Sequence, residues 1–149
     1  MARSVGYLLD TNILVHLIRN NTAGVAVASN YGLDTGLSHC VICVVTVGEM
    51  LALVRKFAWG TMKSAQLQRV LEQVVWVDIN NPAILDAYAV LDDSSQRAGS
   101  KMGKNDLWIA ATAKVTGVTL LTCDGDFDHL HPAQLSRIRL DQQTGKALP

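Results

Sequence analysis

Short apolar runs alternate along the chain with longer segments that have the periodicity of helices. Runs such as YLL, VICVV and TLL do not alternate with polar residues, which is typical of parallel strands buried on both faces. This order predicts an α/β fold in which helices cover both faces of a mostly parallel sheet of four or five strands. The expected strands span residues 7–9, 41–45, 74–79, 119–121 and 137–140. The expected helices span residues 12–20, 23–32, 47–57, 62–73, 82–93 and 106–115.

Residues with known positional preferences mark several helix ends. Thr61 can cap the N-terminus of the fourth helix, and Asn81 before Pro82 suits an N-cap followed by a first-turn proline. Gly117 fits the C-terminal end of the helix that precedes VTLLT. These signals support the division of the chain into alternating strands and helices.

Length and composition indicate one domain that spans residues 1–149, because 149 residues that are 49% hydrophobic can build a substantial core. No apolar run reaches the roughly 18 residues of a membrane span, so we expect a cytoplasmic protein without a membrane segment. Cys40 and Cys43 lie in a buried-strand pattern, which favours core thiols over a zinc site. The formal net charge of zero does not exclude a polyanionic substrate, because a basic rim can coexist with an acidic centre.

Four acidic residues lie where buried strands end or helices begin. Asp10 and Asp124 directly follow strands, Glu49 lies one helical turn beyond VICVVT, and Asp106 stands at the start of NDLWIAATA. In open α/β sheets, ligands bind outside the carboxyl ends of the strands. Four carboxylates in a low dielectric repel one another unless cations neutralise them. Oxygen ligands without a matching histidine or cysteine set favour Mg²⁺, for which Mn²⁺ can substitute.

Each aspartate alone also has an ordinary structural interpretation. Aspartate is a good N-cap, and in the first turn it complements the helix dipole. Capping or loop solvation would therefore explain Asp10, Asp106 or Asp124 taken singly. Glu49 is harder to explain in this way, because the surrounding VTVGEMLALV is otherwise apolar. The set of four is more informative than any one member.

Four blocks of the sequence resemble the motifs of PIN-domain nucleases, most closely the VapC-type toxins of type II toxin–antitoxin systems. The blocks are LLDTNIL at 8–14, VTVGEML at 45–51, GKNDLWIAATA at 103–113 and LLTCDGDF at 120–127. They come in the family's order and cover nearly the whole chain. The resemblance implies a PIN-like three-layer α/β/α fold and an Mg²⁺-dependent endoribonuclease. It also implies a homodimer and inhibition by a small protein antitoxin whose tail enters the active-site groove.

The same resemblance implies catalytic roles for Asp10, Glu49, Asp106 and Asp124. Asp10, Asp106 and Asp124 would hold one or two metal ions, which lower the pKa of a bound water and neutralise charge on the phosphate. In-line attack by water would leave a 5′-phosphate and a 3′-hydroxyl. No side-chain nucleophile is needed for this hydrolysis.

Three further residues are candidates to support the site. Thr11 could donate a hydrogen bond to a carboxylate or a bound water, and Asn105 could orient Asp106. Lys104 follows Arg97 and Lys101 in QRAGSKMGKND, a segment that suits a loop that grips phosphates. Plain helix caps and a solvated loop are the alternative interpretations.

The segment DGDFD leaves the last metal ligand open, because Asp124, Asp126 and Asp128 are all available. We assign the metal role to Asp124, which comes first after the strand, and leave Asp126 as an outer ligand. An EF-hand starting at Asp124 would need glycine and glutamate where the chain has His129 and Leu135. Haloacid-dehalogenase-type phosphatases carry the motif D-x-D-x-T near the N-terminus. Here DGDFD lies near the C-terminus and has Asp128 in the fifth place, so this class of phosphatase is disfavoured.

Other functions stay open at this point. A PIN-like RNA-processing nuclease would not need an antitoxin, and a catalytically weak module could bind RNA or a protein through the same fold. A phospho-receiver is disfavoured, because YLLDTN has no paired acids at the first strand end and no lysine follows TLLTCD. Nothing in the sequence selects the RNA that is cut.

Overall fold

A computed structural model describes residues 6–149 and contains five strands. The strands are β1 (Tyr7–Leu9), β2 (Cys40–Cys43), β3 (Val75–Val77), β4 (Thr119–Thr122) and β5 (Arg137–Arg139). They form one sheet in the order β3-β2-β1-β4-β5, and every neighbouring pair is parallel. The predicted parallel α/β sheet is therefore confirmed.

Six α-helices and one 3₁₀ helix connect or follow the strands. They are α1 (Thr11–Arg19), α2 (Thr22–Asn30), α3 (Val44–Lys56), α4 (Thr61–Gln73), α5 (Pro82–Arg97), α6 (Lys104–Thr116) and the 3₁₀ helix Gly125–Leu130. Apolar residues of α1, α2, α3 and α4 build the core on one sheet face, and those of α5 and α6 build the core on the other. Among the described residues, no helix is long and apolar enough to cross a membrane.

The central strands supply apolar side chains to both cores. On β1, Leu9 packs into the first core and Leu8 into the second, and Leu121 and Leu120 on β4 divide in the same way. All four are fully buried, so each contributes roughly 1.5–3 kcal/mol to folding. This two-sided burial explains why the strand sequences lack polar alternation.

Two helices differ from the predicted bounds for identifiable reasons. Helix α3 begins at Val44, directly after β2, so Val44 and Val45 are helical although β-branched residues favour strands. Helix α5 continues to Arg97 rather than stopping at residue 93. Buried Ser95 lies 2.8 Å from the His129 ring, and Arg97 pairs with the carboxylate of Asp93 at 3.0 Å.

The helix-end predictions had mixed outcomes. The Asn81 side chain accepts a hydrogen bond from Ala83 N at 2.8 Å as N-cap of α5, and Gly117 ends α6 with φ of 73°. The prediction that Thr61 caps α4 is wrong. Gly60 holds the extended N-cap position, and Thr61 is the first helical residue. The three cysteines are buried and free, as expected of core thiols.

Candidate active site

Strand ends and helix starts bring the four predicted acids to one cavity. Its volume is about 340 Å³, and its lining includes Asp10, Glu49, Asp106 and Asp124. Asp10 follows β1 as the N-cap of α1, and Asp124 follows β4 as the N-cap of the 3₁₀ helix. Asp106 lies in the first turn of α6, and Glu49 lies within α3. The carboxyl edge of a parallel sheet therefore gathers acids that are distant in sequence.

Hydrogen bonds fix the Asp10 carboxylate, which is 3% exposed. Its Oδ1 accepts from Thr11 N at 2.8 Å, and its Oδ2 accepts from Thr122 Oγ1 at 2.7 Å and Asn12 Nδ2 at 3.2 Å. Burial raises the pKa of Asp10 to about 6, although the bonds from Thr122 and Thr11 act in the opposite direction. The Asp10 carboxylate is therefore held in place before any ligand binds.

Sequence reasoning did not identify the roles of Thr122 and Asn12. Asn12 also accepts a hydrogen bond from Cys123 N at 3.0 Å through its Oδ1, which joins the loops after β1 and β4. The signal was present, since both residues lie within the motif blocks LLDTNIL and LLTCDGDF. Their polar side chains interrupt the apolar strand ends.

Thr11 and Asn105 both orient Glu49. Thr11 Oγ1 donates to Glu49 Oε1 at 2.7 Å, in line with the expectation that this hydroxyl contacts a carboxylate. Asn105 Nδ2 donates to Glu49 Oε2 at 3.3 Å, so the expectation that Asn105 orients Asp106 is wrong. Asn105 and Asp106 are consecutive on α6, and consecutive helical side chains do not face each other.

Among the described residues, Asp106, Asp124 and Asp126 form a compact acidic group. One carboxylate oxygen from each lies within 4.8 Å of the other two. Asp124 Oδ1 accepts from Asp126 N at 2.9 Å, which stabilises the turn that places both carboxylates. The Asp126 carboxylate therefore belongs to the same group, and its role as an outer ligand stays a prediction. Asp128 points elsewhere and forms ion pairs with Arg137 and Arg139.

Burial and the neighbouring carboxylates disfavour ionisation of Asp106 within this group. Burial is the main cause that raises the pKa of Asp106 to about 7, and the charges of Asp10, Asp124, Asp126 and Glu49 add to it. The ion pairs of the described residues involve Asp93 and Asp128 only, so no lysine or arginine neutralises the group. An uncompensated set of oxygen donors with this spacing fits a hard divalent cation such as Mg²⁺.

Lys104 does not line the acidic cavity. It is the first residue of α6 and is exposed to solvent. Its role in gripping phosphate stays a prediction. Another cation, Arg19 of α1, lines the cavity together with Phe57 and Leu53.

Comparison with known proteins agrees with this architecture. The profile of the PIN domain matches residues 7–131. Ribonuclease VapC1 of Haemophilus influenzae strain R2866 is 29% identical over 119 residues, which cover 78% of this chain and 84% of the relative.

Solved structures share the fold at low sequence identity. The crystal structure of VapBC2 from Rickettsia felis, bound to a DNA fragment from its promoter, matches with a TM-score of 0.73 and 22% identity over 89% of this chain and 97% of the other. VapBC-1 from nontypeable Haemophilus influenzae matches with a TM-score of 0.69 and 23% identity over 91% and 97%. Because the domain profile covers most of the sequence and the fold agrees, the chain belongs to the PIN-domain family.

Proposed function

We propose that this chain is an Mg²⁺-dependent endoribonuclease that hydrolyses phosphodiester bonds with water. The observation that carries the proposal is a set of carboxylates at one sheet edge that no lysine or arginine of the described residues neutralises. The PIN-domain match and the similarity to a ribonuclease support the choice of reaction. Mn²⁺ is expected to substitute for Mg²⁺ because it accepts the same oxygen donors.

The surroundings of each acidic residue indicate the role that we assign to it. Asp10, Asp106 and Asp124 would hold the cation, and Asp126 is close enough to Asp106 and Asp124 to join them. A bound Mg²⁺ supplies charge neutralisation at the phosphate and activates water for attack. Glu49 lines the same cavity and would orient a water, while the hydrogen bonds from Thr11 and Asn105 hold its carboxylate.

The supporting hydrogen bonds act on the geometry of the carboxylates. The Thr122 hydroxyl and the Thr11 amide fix opposite oxygens of Asp10. Such partners keep a ligand oriented between turnovers, and their loss typically weakens metal affinity or activity by roughly 10–100-fold. Replacement of Thr122 by valine therefore tests the network without changing charge.

The reaction is tested with the purified chain and three substrates: single-stranded RNA, structured RNA and DNA. We expect RNA to be cut in Mg²⁺ but not in EDTA, and the products to carry 5′-phosphates. Asp10→Asn and Asp106→Asn should lose cleavage, whereas Asp86→Asn on the exposed face of α5 should keep it. Cutting in EDTA, or full activity in both site variants, would contradict the proposal.

The similarity to VapC1 and to VapBC complexes also supports a role as the toxin of a toxin–antitoxin pair. Such a chain would be a homodimer that a small protein antitoxin inhibits. Light scattering should then give twice the chain mass of 16.1 kDa, and induced expression should stop bacterial growth unless Asp106 is replaced by asparagine. RNA cleavage without growth arrest would favour an RNA-processing nuclease instead.

A further inference from the structure

A second cavity of about 570 Å³ adjoins the acidic cavity, and its charge is opposite. It lies between the C-terminal end of α1 and helix α4, and its cationic lining residues are Arg19, Lys63 and Arg69. None of its lining residues is an aspartate or glutamate. Arg19 lines both cavities, so the two adjoin at this residue. The neutral net charge of the chain thus conceals a strong local separation of charge.

These three cations are free to bind an external anion. In the part of the chain that the structure describes, the arginines in ion pairs are Arg97, Arg137 and Arg139. Arg19, Lys63 and Arg69 have no such partner, and Arg19 and Lys63 are exposed to solvent. A cluster of unpaired cations beside a metal-type acidic site is suited to a polyanion that reaches both.

Two aromatic rings lie between the cations. The Arg19 guanidinium carbon is 4.9 Å from the centre of the Phe57 ring, and the Lys63 ammonium is 5.6 Å from the Trp59 ring. The Phe57 and Trp59 ring centres are 5.9 Å apart at an angle of 38°. Phe57 is 41% exposed, so part of its ring is open to solvent, whereas Trp59 is partly buried against the core. Cations interleaved with aromatic rings are typical of surfaces that bind single-stranded nucleic acid.

We propose that this cationic groove, formed by Arg19, Phe57, Trp59, Lys63 and Arg69, binds the single-stranded RNA that flanks the scissile phosphate. The assignment rests on the proposed ribonuclease function. One phosphate at the carboxylates requires its neighbours to continue along the chain surface, and the groove adjoins the acidic cavity and carries three cations without an ion-pair partner among the described residues. The cations contact backbone phosphates, and the exposed part of the Phe57 ring stacks with an unpaired base.

An acidic protein segment would also be attracted by the cations. It would gain nothing from the adjoining carboxylates, which would repel it. RNA fits both ends of the surface, because a divalent ion held by the carboxylates would attract its scissile phosphate. Duplex RNA is a poorer fit, because its stacked bases cannot reach the rings.

Binding is measured by fluorescence anisotropy with a labelled single strand of about a dozen nucleotides and the Asp106→Asn protein, which does not consume the RNA. Combined replacement of Arg19, Lys63 and Arg69 by glutamine should weaken binding at least about tenfold and reduce the salt slope by about 2. The matched control replaces three exposed cations outside the groove by glutamine. These are Arg55, Lys114 and Lys146.

A second variant, Phe57→Leu, separates stacking from charge. It should weaken binding of the single strand about tenfold and leave duplex binding and the salt slope unchanged. Circular dichroism and thermal melting establish that each variant is folded. The inference is overturned if the groove and control triples lose equal affinity, or if neither the groove triple nor Phe57→Leu changes RNA binding.

The outcomes for the groove and for the enzyme are distinguishable. If the wild-type chain does not cut RNA in Mg²⁺ while RNA binding still depends on the groove, the ribonuclease proposal fails and the binding assignment stands. If the wild-type chain cuts RNA and KM is unchanged in the groove triple, the ribonuclease proposal stands and the groove assignment fails. A KM that rises at least about tenfold with a nearly constant kcat supports both.

Discussion

Asp124 and Asp128 lie four residues apart at the same 3₁₀ helix, but their electrostatic surroundings are opposite. Asp128 is paired with two cations, since its carboxylate lies 3.1 Å from Arg137 Nε and 3.0 Å from Arg139 Nη1. Asp124 instead faces Asp106 and Asp126 within 4.8 Å. One carboxylate is neutralised by the fold, and the other is left for a partner from solution.

The sheet topology explains this difference. Arg137 and Arg139 are two residues apart on β5, so both side chains lie on the same side of the strand. β5 is the neighbour of β4, which places both arginines beside the segment that follows β4. Asp10, Glu49 and Asp124 lie beyond the ends of β1, β2 and β4, and these strands contain no lysine or arginine. The comparison teaches that an acidic run such as DGDFD can combine a structural and a functional carboxylate.

The largest expected effect is on catalysis. Asp10→Asn should lower the rate of RNA cleavage by roughly a hundredfold to a thousandfold, the range for loss of a group that stabilises developing charge. Single-turnover cleavage in Mg²⁺ measures this effect, with circular dichroism as the folding check. Asp86→Asn serves as the matched control. A rate within about twofold of wild type would mean that Asp10 has no catalytic role.

Mg²⁺ should stabilise the unneutralised cluster. At a concentration one hundred times its dissociation constant, a ligand of the folded state raises the free energy of unfolding by about 2.7 kcal/mol. Thermal melting in Mg²⁺ and in EDTA should therefore differ by several degrees, and Asp106→Asn should abolish the difference. An equal Mg²⁺ effect in wild type and Asp106→Asn would place the ion elsewhere.

Asp128→Asn should affect stability rather than metal binding. The change leaves Arg137, whose side chain is only 12% exposed, without its counter-charge. We expect the free energy of unfolding to fall by about 1–2 kcal/mol, because partial exposure of Asp128 reduces the cost of a broken buried pair. Urea unfolding measures the loss, and the shift between Mg²⁺ and EDTA should match that of wild type. Unchanged stability would contradict the structural role.

The smallest expected effect concerns pH in EDTA. Folding raises the pKa of Asp10 from 3.8 to about 6 and that of Asp106 from 3.8 to about 7. Between these values the folded state binds more protons than the unfolded state, so the free energy of unfolding falls as pH rises from about 4 to about 7. This contribution is fully present below pH 3.8 and is lost as pH rises through the folded values.

Asp106→Asn removes a carboxylate whose ionisation is disfavoured by burial and by the charges of its acidic neighbours. It should raise the free energy of unfolding at pH 8 in EDTA by about 1 kcal/mol, a value reduced for the solvent that screens this partly exposed group. At pH values below about 4, the difference from wild type should vanish. Urea unfolding at both pH values measures the effect. A variant that is less stable than wild type at pH 8 would contradict this account of the cluster.

Much of the fold could be predicted because burial leaves a direct pattern in the sequence. The strands that are buried on both faces appear in the sequence as uninterrupted apolar runs. Asn81 and Gly117 could be predicted as helix ends because a cap depends on neighbouring residues only. The start of α3 could not be predicted, because Val44 and Val45 have strand propensity and only tertiary packing makes them helical. The extent of α5 likewise depends on Ser95 contacting His129, which is distant in sequence.

The candidate site could likewise be predicted only in part. Carboxylates at strand ends identified the cavity residues Asp10 and Asp124, because strand ends converge in any parallel sheet. The hydrogen bonds that orient Glu49 depend on how closely α1 and α6 approach α3, and these distances cannot be inferred from the sequence. The neutralisation of Asp128 also required knowing that β5 pairs with β4.

The central claim is that the fold neutralises Asp128 and leaves the other acids to a divalent cation. The most direct measurement is anomalous diffraction from crystals soaked in Mn²⁺. We predict one or two strong peaks among Asp10, Asp106, Asp124 and Asp126, and no peak at Asp128. No peak among those four residues at saturating Mn²⁺, or a peak at Asp128 instead, would contradict the claim.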